Sequence, residues 1–143
     1  MGARVLIVDD HEIFRKGLRS LLESRADLQI CGEAANGLEA IEKANILRPD
    51  VILMDISMPH VDGLQATRQI RNQVPETRIL ILSQHDSPLM LSASLKAGAS
   101  AYVTKSQVSQ SLLAALESVM QDRPFSWNSN AAATNAPSGQ SDV

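Results

Sequence analysis

Pro49-Asp50-Val51-Ile52-Leu53-Met54-Asp55-Ile56-Ser57-Met58-Pro59-His60-Val61-Asp62-Gly63 is the stretch that decides the fold. Val51 to Met54 are four apolar residues without polar alternation. That pattern fits a short strand covered by helices on both faces. One carboxylate, Asp55, ends the run. Pro59 and Gly63 then impose loop geometry, and a helix is predicted from about Gly63. Open α/β sheets place their chemistry just outside the carboxyl ends of their strands. Asp55 stands at such a place and reads as a nucleophile that accepts a phosphoryl group.

Working outward, the same unit recurs. Arg4–Val8 (RVLIV) is an apolar run closed by Asp9 and Asp10. Ile13, Phe14, Leu18, Leu21 and Leu22 then follow helical spacing, with Arg15, Lys16, Arg19 and Glu23 between them. Leu28–Ala34 is a second strand, Asn36-Gly37 a turn signal, and Leu38, Ile41 and Leu47 mark a helix stopping before Pro49. After the central strand, a helix over residues 63–72 carries Leu64, Thr67 and Ile70. Arg78–Leu82 (RILIL) is a fourth strand ending at Ser83. Ser87-Pro88 reads as cap and first helical residue. The helix to Ala97 has a weak apolar stripe, which suits an element that shifts, and Gly98 is its expected cap. Ala101–Thr104 is a fifth strand ending at Lys105, and a well-patterned helix with Val108, Leu112, Leu116, Val119 and Met120 follows. Five β-α units in a row imply a parallel sheet with right-handed crossovers. From Pro124 onward, Ser, Asn, Ala, Gly and Pro dominate. A linker or tail without helical or strand order is expected over 123–143, after one folded domain over 1–122.

Bulk properties bound the function. The chain has 143 residues, 44% of them apolar, which supports one domain with a sizeable core. The net charge is −3 and the 13 Lys and Arg are scattered, so no nucleic-acid footprint is present. The single Cys31 excludes an internal disulfide and suits a reducing cytoplasm. No apolar run approaches the ~18 residues of a membrane span.

In a parallel sheet every carboxyl strand end lies on one edge. Asp9, Asp10, Asp55, Ser83 and Lys105 would therefore converge, and only the second strand, expected at the margin, brings nothing. Two carboxylates ~4 Å apart at an effective dielectric of ~20 repel by about 4 kcal/mol. A divalent cation offsets this, and oxygen donors with open water positions favour Mg²⁺ or Mn²⁺. Lys105 would neutralise phosphoryl oxygens and Ser83 would donate a hydroxyl. His11 and His85 stand near the expected pocket mouth. A lone histidine is more often solvated or hydrogen-bonded than a ligand, so neither is counted among the metal ligands. His85 has an alternative role in tuning phosphate hydrolysis, and His60 reads as loop surface.

Together, Asp9-Asp10, Asp55 in Leu-Met-Asp-Ile-Ser-Met-Pro, Asp62-Gly63, Ser83, Lys96-Ala97-Gly98-Ala99, Tyr102 and Lys105 resemble the receiver domain of two-component response regulators, over about Arg4 to Asp122. Asp10-His11-Glu12, Gly37-Leu38-Glu39-Ala40 and Arg123-Pro124-Phe125 look most like the NarL/FixJ (LuxR-type) subgroup. The resemblance implies a flavodoxin-like fold, a five-stranded sheet in order 2-1-3-4-5 with five helices. It implies that Asp55 takes phosphate from a sensor histidine kinase or phosphotransfer protein. Asp9, Asp10, Asp55 and the Ser57 backbone carbonyl would hold Mg²⁺. Ser83 and Tyr102 would act as the switch, Tyr102 swinging inward to reshape the face of the fourth helix, fifth strand and fifth helix, with a homodimer on phosphorylation. Nucleic acid would be reached only through a domain beyond this sequence.

Three departures stand out. Gln84 replaces a small residue, so the larger side chain would narrow access to Asp55 or alter phosphate lifetime. Ser106 replaces the usual Pro after Lys105, which weakens the case for a cis peptide there. Members of the subgroup usually continue into a helix-turn-helix, and none is expected after Pro124, which fits either a piece of a longer protein or a receiver that stands alone. Other readings are a pseudo-receiver binding partners without phosphorylation, a flavodoxin, or a haloacid-dehalogenase-type phosphatase. A complete set of acids and lysine opposes the first. Asp-Asp-His-Glu, where a phosphate cradle is needed, opposes the second. Ser57, where a second acid belongs, opposes the third.

Overall fold

The computed structural model describes residues 2–57 and 62–121. The expected tail and the loop containing Pro59 and His60 lie outside the described residues. Five parallel strands, β1 (Ala3–Val8), β2 (Leu28–Ala34), β3 (Val51–Asp55), β4 (Arg78–Ser83) and β5 (Ala101–Thr104), form one sheet in the order β2-β1-β3-β4-β5. They alternate with α1 (Glu12–Glu23), α2 (Gly37–Leu47), α3 (Gly63–Gln73), α4 (Pro88–Ala97) and α5 (Val108–Met120). This is the flavodoxin-like architecture that the resemblance implies, with β2 at a margin as the pattern led one to expect.

Two cores flank the sheet. Leu6, Val8, Ile52, Met54, Ile79, Ile81 and Tyr102 pack against Ala40, Ile41 and Ala44 of α2 and Ala66 and Ile70 of α3, with Met90 and Leu91 of α4 alongside. The intervening residues Val5, Ile7, Val51, Leu53, Leu80, Leu82, Ala101 and Val103 pack against Leu18 and Leu22 of α1 and Leu112, Ala115 and Leu116 of α5. The alternation that looked absent from the strands is there in space. It has no polar half because both faces are covered.

Local chemistry accounts for the boundaries. Asn36 caps α2, its side chain accepting from the Glu39 N–H at 2.8 Å, so Asn36-Gly37 starts a helix rather than merely turning the chain. Ser87 caps α4 ahead of Pro88, and Gly98 ends it with φ 110°. α3 runs one residue beyond the expected Asn72. A 3₁₀ turn, Lys105–Gln107, separates β5 from α5. Among the described residues every peptide bond is trans. No helix among them is long and apolar enough to cross a membrane.

Two apolar markers point outward. Ile13 is 85% exposed and Leu38 61%. The buried stripe of α1 descends from Phe14 through Leu18 to Leu22, and Ile13 is one residue, about 100°, off it. In α2 the buried face is Gly37, Ala40, Ile41 and Ala44, and all but Ile41 are small residues that bring the helix close to the sheet.

Candidate functional site

Strand register aligns the polar ends. Val8 lies beside Met54, so Asp9 follows on beside Asp55; Asp55 neighbours Leu82, and Ser83 neighbours Thr104. Alternation then sorts these residues by face. Asp9, Asp55 and Lys105 continue the positions that face α1 and α5. Ser83 and Tyr102 continue the positions that face α2, α3 and α4. The rim therefore carries two clusters.

The first cluster is charged and buried. Asp9 and Asp55 are fully buried. Lys105 Nζ stands 2.7 Å from Asp9 Oδ2 and 3.6 Å from Asp55 Oδ2, and 4.4 Å from the centre of the Phe14 ring. Neither carboxylate oxygen accepts a hydrogen bond, so the ammonium offsets their charge without satisfying their lone pairs. Asp55 Oδ1 accepts the Ser57 N–H at 3.0 Å, and Asp9 Oδ1 accepts the His11 N–H at 2.7 Å. Desolvation pushes the Asp55 carboxyl above its ordinary range; the Ser57 N–H and Lys105 pull it down, and Asp9 and Asp10 add to the rise.

Asp10 lies at the solvent edge beside this pair. Asp9, Asp10, His11 and Asp55 each offer one ligand atom, and these atoms all lie within 4.8 Å of one another. Two of the acids leave buried oxygens unbonded, and the donors are predominantly carboxylate. The residues therefore fit a hard divalent cation such as Mg²⁺. Ser57, named for its backbone carbonyl, adjoins Asp55 and donates its N–H to it.

The second cluster is neutral and bonded. The Ser83 hydroxyl donates to the His85 carbonyl at 3.1 Å and accepts the His85 N–H at 3.1 Å. Tyr102 is already inward, 1% exposed, and its hydroxyl donates to the same His85 carbonyl at 2.6 Å. An inward swing is therefore not needed to reach this position. Gln84 and the His85 side chain face solvent.

Three contributions escaped the sequence reading. Gly63 was read as loop geometry, yet a Cβ there would lie 2.2 Å from the Asp55 carbonyl oxygen; glycine lets α3 abut the backbone of Asp55. Phe14 was read as core, but it lines Lys105. Arg15 was read as part of a solvated face. Its guanidinium donates to the Asp9 carbonyl at 2.5 Å and to Glu33 of β2 at 3.1 Å, and Arg19 also pairs with Glu33. The available signal was Glu33 itself, an acid inside a predicted strand, which needs a cation.

Comparison with known proteins adds the family. The model of the response regulator receiver domain matches residues 5–117. This chain belongs to that family. The receiver is 42% identical over 105 residues to the response regulator protein VraR of Staphylococcus aureus (strain Mu3 / ATCC 700698), covering 73% of this chain and 50% of VraR. It is 36% identical over 118 residues to the transcriptional regulatory protein DegU of Brevibacillus brevis, covering 82% of this chain and 50% of DegU. The receiver thus spans about half the length of these curated relatives. A crystal structure of a two-component response regulator of the LuxR family from Aurantimonas sp. SI85-9A1 superposes with a TM-score of 0.86 at 36% identity, covering 93% of this chain and 94% of that one.

Proposed function

We propose that this receiver is a phosphorylation-controlled signalling switch in which Asp55 accepts a phosphoryl group from the phosphohistidine of a sensor histidine kinase or phosphotransfer protein. One observation carries the reading: Asp55 Oδ2 is buried, accepts no hydrogen bond, and faces the Lys105 ammonium at the open edge of the sheet. A structural carboxylate at that depth would have its oxygens bonded.

In the transfer, an Asp55 oxygen forms a bond to phosphorus as the N–P bond of phosphohistidine breaks, and the departing imidazole takes a proton. Asp9, Asp10, Asp55 and the Ser57 carbonyl would hold Mg²⁺, or Mn²⁺ in its place, which would supply positive charge for the phosphoryl oxygens. Lys105 supplies a second, and burial by Phe14 keeps its charge from being screened by water. Hydrolysis of the acyl phosphate returns Asp55 and inorganic phosphate, so the protein modifies itself and turns over no separate metabolite.

The phosphorylated Asp55 draws the Ser83 hydroxyl from its present bonds to His85. His85 then keeps the Tyr102 hydroxyl alone, and the β4–α4 connection is free to move. The face of α4, β5 and α5 changes with it and selects partners, including a second copy of the chain. The half-length match supports a folded domain over 1–122 followed by a linker over 123–143. The names of the relatives support transcription as the output, through a DNA-binding part outside this sequence, in the cytoplasm. The test is intact mass after treatment with acetyl phosphate and Mg²⁺. Wild type should gain one phosphate and Asp55→Asn none; an unchanged wild-type mass, or a persisting gain in the variant, overturns the reading.

A further inference from the structure

The site as read so far leaves one side chain at its mouth without a role. His11 occupies the cap position of α1, where Ser, Asp or Asn would normally turn a side-chain oxygen onto the first free amides. Its side chain makes no such bond. The ring is turned back over the acids instead, with Nδ1 3.2 Å from Asp9 Oδ1 and 3.1 Å from Asp10 Oδ1. The helix does not require this orientation.

Resting on the reading that the acidic pocket holds a divalent cation, we infer that His11 Nδ1 is a further ligand of that cation. Such a ligand shifts the preference of the pocket, relative to an all-oxygen site, from Mg²⁺ toward Mn²⁺ and the later first-row divalent metals. Neighbouring ligands of an octahedral ion bound at about 2.1 Å lie about 3.0 Å apart, and opposite ones about 4.2 Å. The two His11 separations match the shorter edge, and no pair among the four ligand atoms exceeds 4.8 Å. Asp9 divides its oxygens, Oδ1 toward His11 and Oδ2 toward Lys105, so binding on the His11 side leaves the lysine pair in place. The buried, unbonded oxygens of Asp9 and Asp55 mark the pocket as made for a charge that the protein does not itself supply in full.

The donor type sets the selectivity. Carboxylate and carbonyl oxygens suit Mg²⁺ and Mn²⁺ alike, whereas an imidazole nitrogen adds affinity for first-row divalent ions, least for Mn²⁺ and more for Co²⁺, Ni²⁺ and Zn²⁺, and gives Mg²⁺ little. His11 and Asp10 are exposed whereas Asp9 and Asp55 are buried, so an entering ion meets the outer pair before the inner one.

The experiment uses the full chain and compares wild type with His11→Gln. Pulsed electron paramagnetic resonance of the Mn²⁺-loaded protein reads directly bound nitrogen, and competition between Mn²⁺ and Mg²⁺ reads selectivity. Wild type should show modulation from one imidazole nitrogen. His11→Gln should lose it, and the preference for Mn²⁺ over Mg²⁺ should fall by roughly tenfold or more. A hydrogen-bonding imidazole near the acids gives the same distances but no bound nitrogen. Absence of the nitrogen signal in wild type, or equal selectivity in the two proteins, overturns the inference while leaving Mg²⁺-dependent labelling of Asp55 standing. A wild type that binds neither ion overturns the cation pocket and this inference with it.

Discussion

On the side of the rim that faces α1 and α5, Asp9, Asp55 and Lys105 are charged and buried, and two carboxylate oxygens accept no hydrogen bond. On the side that faces α4, Ser83, Tyr102 and the His85 backbone are neutral and bonded to one another. The two clusters are separated by only one position of strand alternation. A satisfied network holds a single arrangement, because any displacement leaves a polar group bare. An unsatisfied one keeps its oxygens available to an incoming group. Under the proposed function, the first cluster would receive the phosphoryl group and the second would respond to it.

The contrast can be broken most forcefully where the clusters meet, at the backbone of Asp55. Gly63→Ala would place a Cβ 2.2 Å from the Asp55 carbonyl oxygen and 2.6 Å from Ile56 Cα, against backbone that cannot yield. A loss of about 3 kcal/mol is expected, read as a shift of the urea midpoint. A midpoint within error of wild type would mean that α3 does not bear on Asp55.

Next in size is Asp55→Asn. Removing an under-bonded buried charge should stabilise the chain at neutral pH by about 1–3 kcal/mol. The sign of its pH dependence follows from the raised carboxyl. Between the ordinary value and the raised one, the folded chain binds a proton that the unfolded chain does not. The Asp55 contribution to stability therefore falls as pH rises through that window. The advantage of the amide should shrink as pH is lowered toward the ordinary carboxylate range. A variant less stable than wild type at neutral pH would show that the charged face is satisfied after all.

Tyr102→Phe is the smallest change. It removes one hydrogen bond to the His85 carbonyl and should cost about 1 kcal/mol. Combined with Asp55→Asn, the effects should add within ~0.5 kcal/mol, since the two share no partner in the unmodified protein. A larger coupling would merge the two clusters into one.

Much of this was legible in the sequence. Apolar runs such as VILM and RILI announce strands that need cover on both faces, and β3 and β4 lie where those runs are. Convergence of Asp9, Asp55 and Lys105 follows from parallel strands alone. What was not legible depends on direction rather than order. Phe14 and Ile13 are neighbours of similar hydropathy, yet one lines Lys105 and the other faces water. Ser83 and Asp55 both close strands, but strand parity sends them to opposite faces. Glu33 in β2 signalled the need for a cation but not that Arg15 and Arg19 supply it, because pairing between distant residues leaves no periodic trace.

The register of β2 has a consequence of its own. Val5 pairs with Ile30 and Leu6 with Gly32, so Cys31 is an extra residue that kinks the outermost strand. Just past the kink, Glu33 is gripped by arginines from α1. A bent margin with a clamped charge makes a poor template for another chain to extend. This border of the sheet is thereby guarded against pairing edge to edge with another strand.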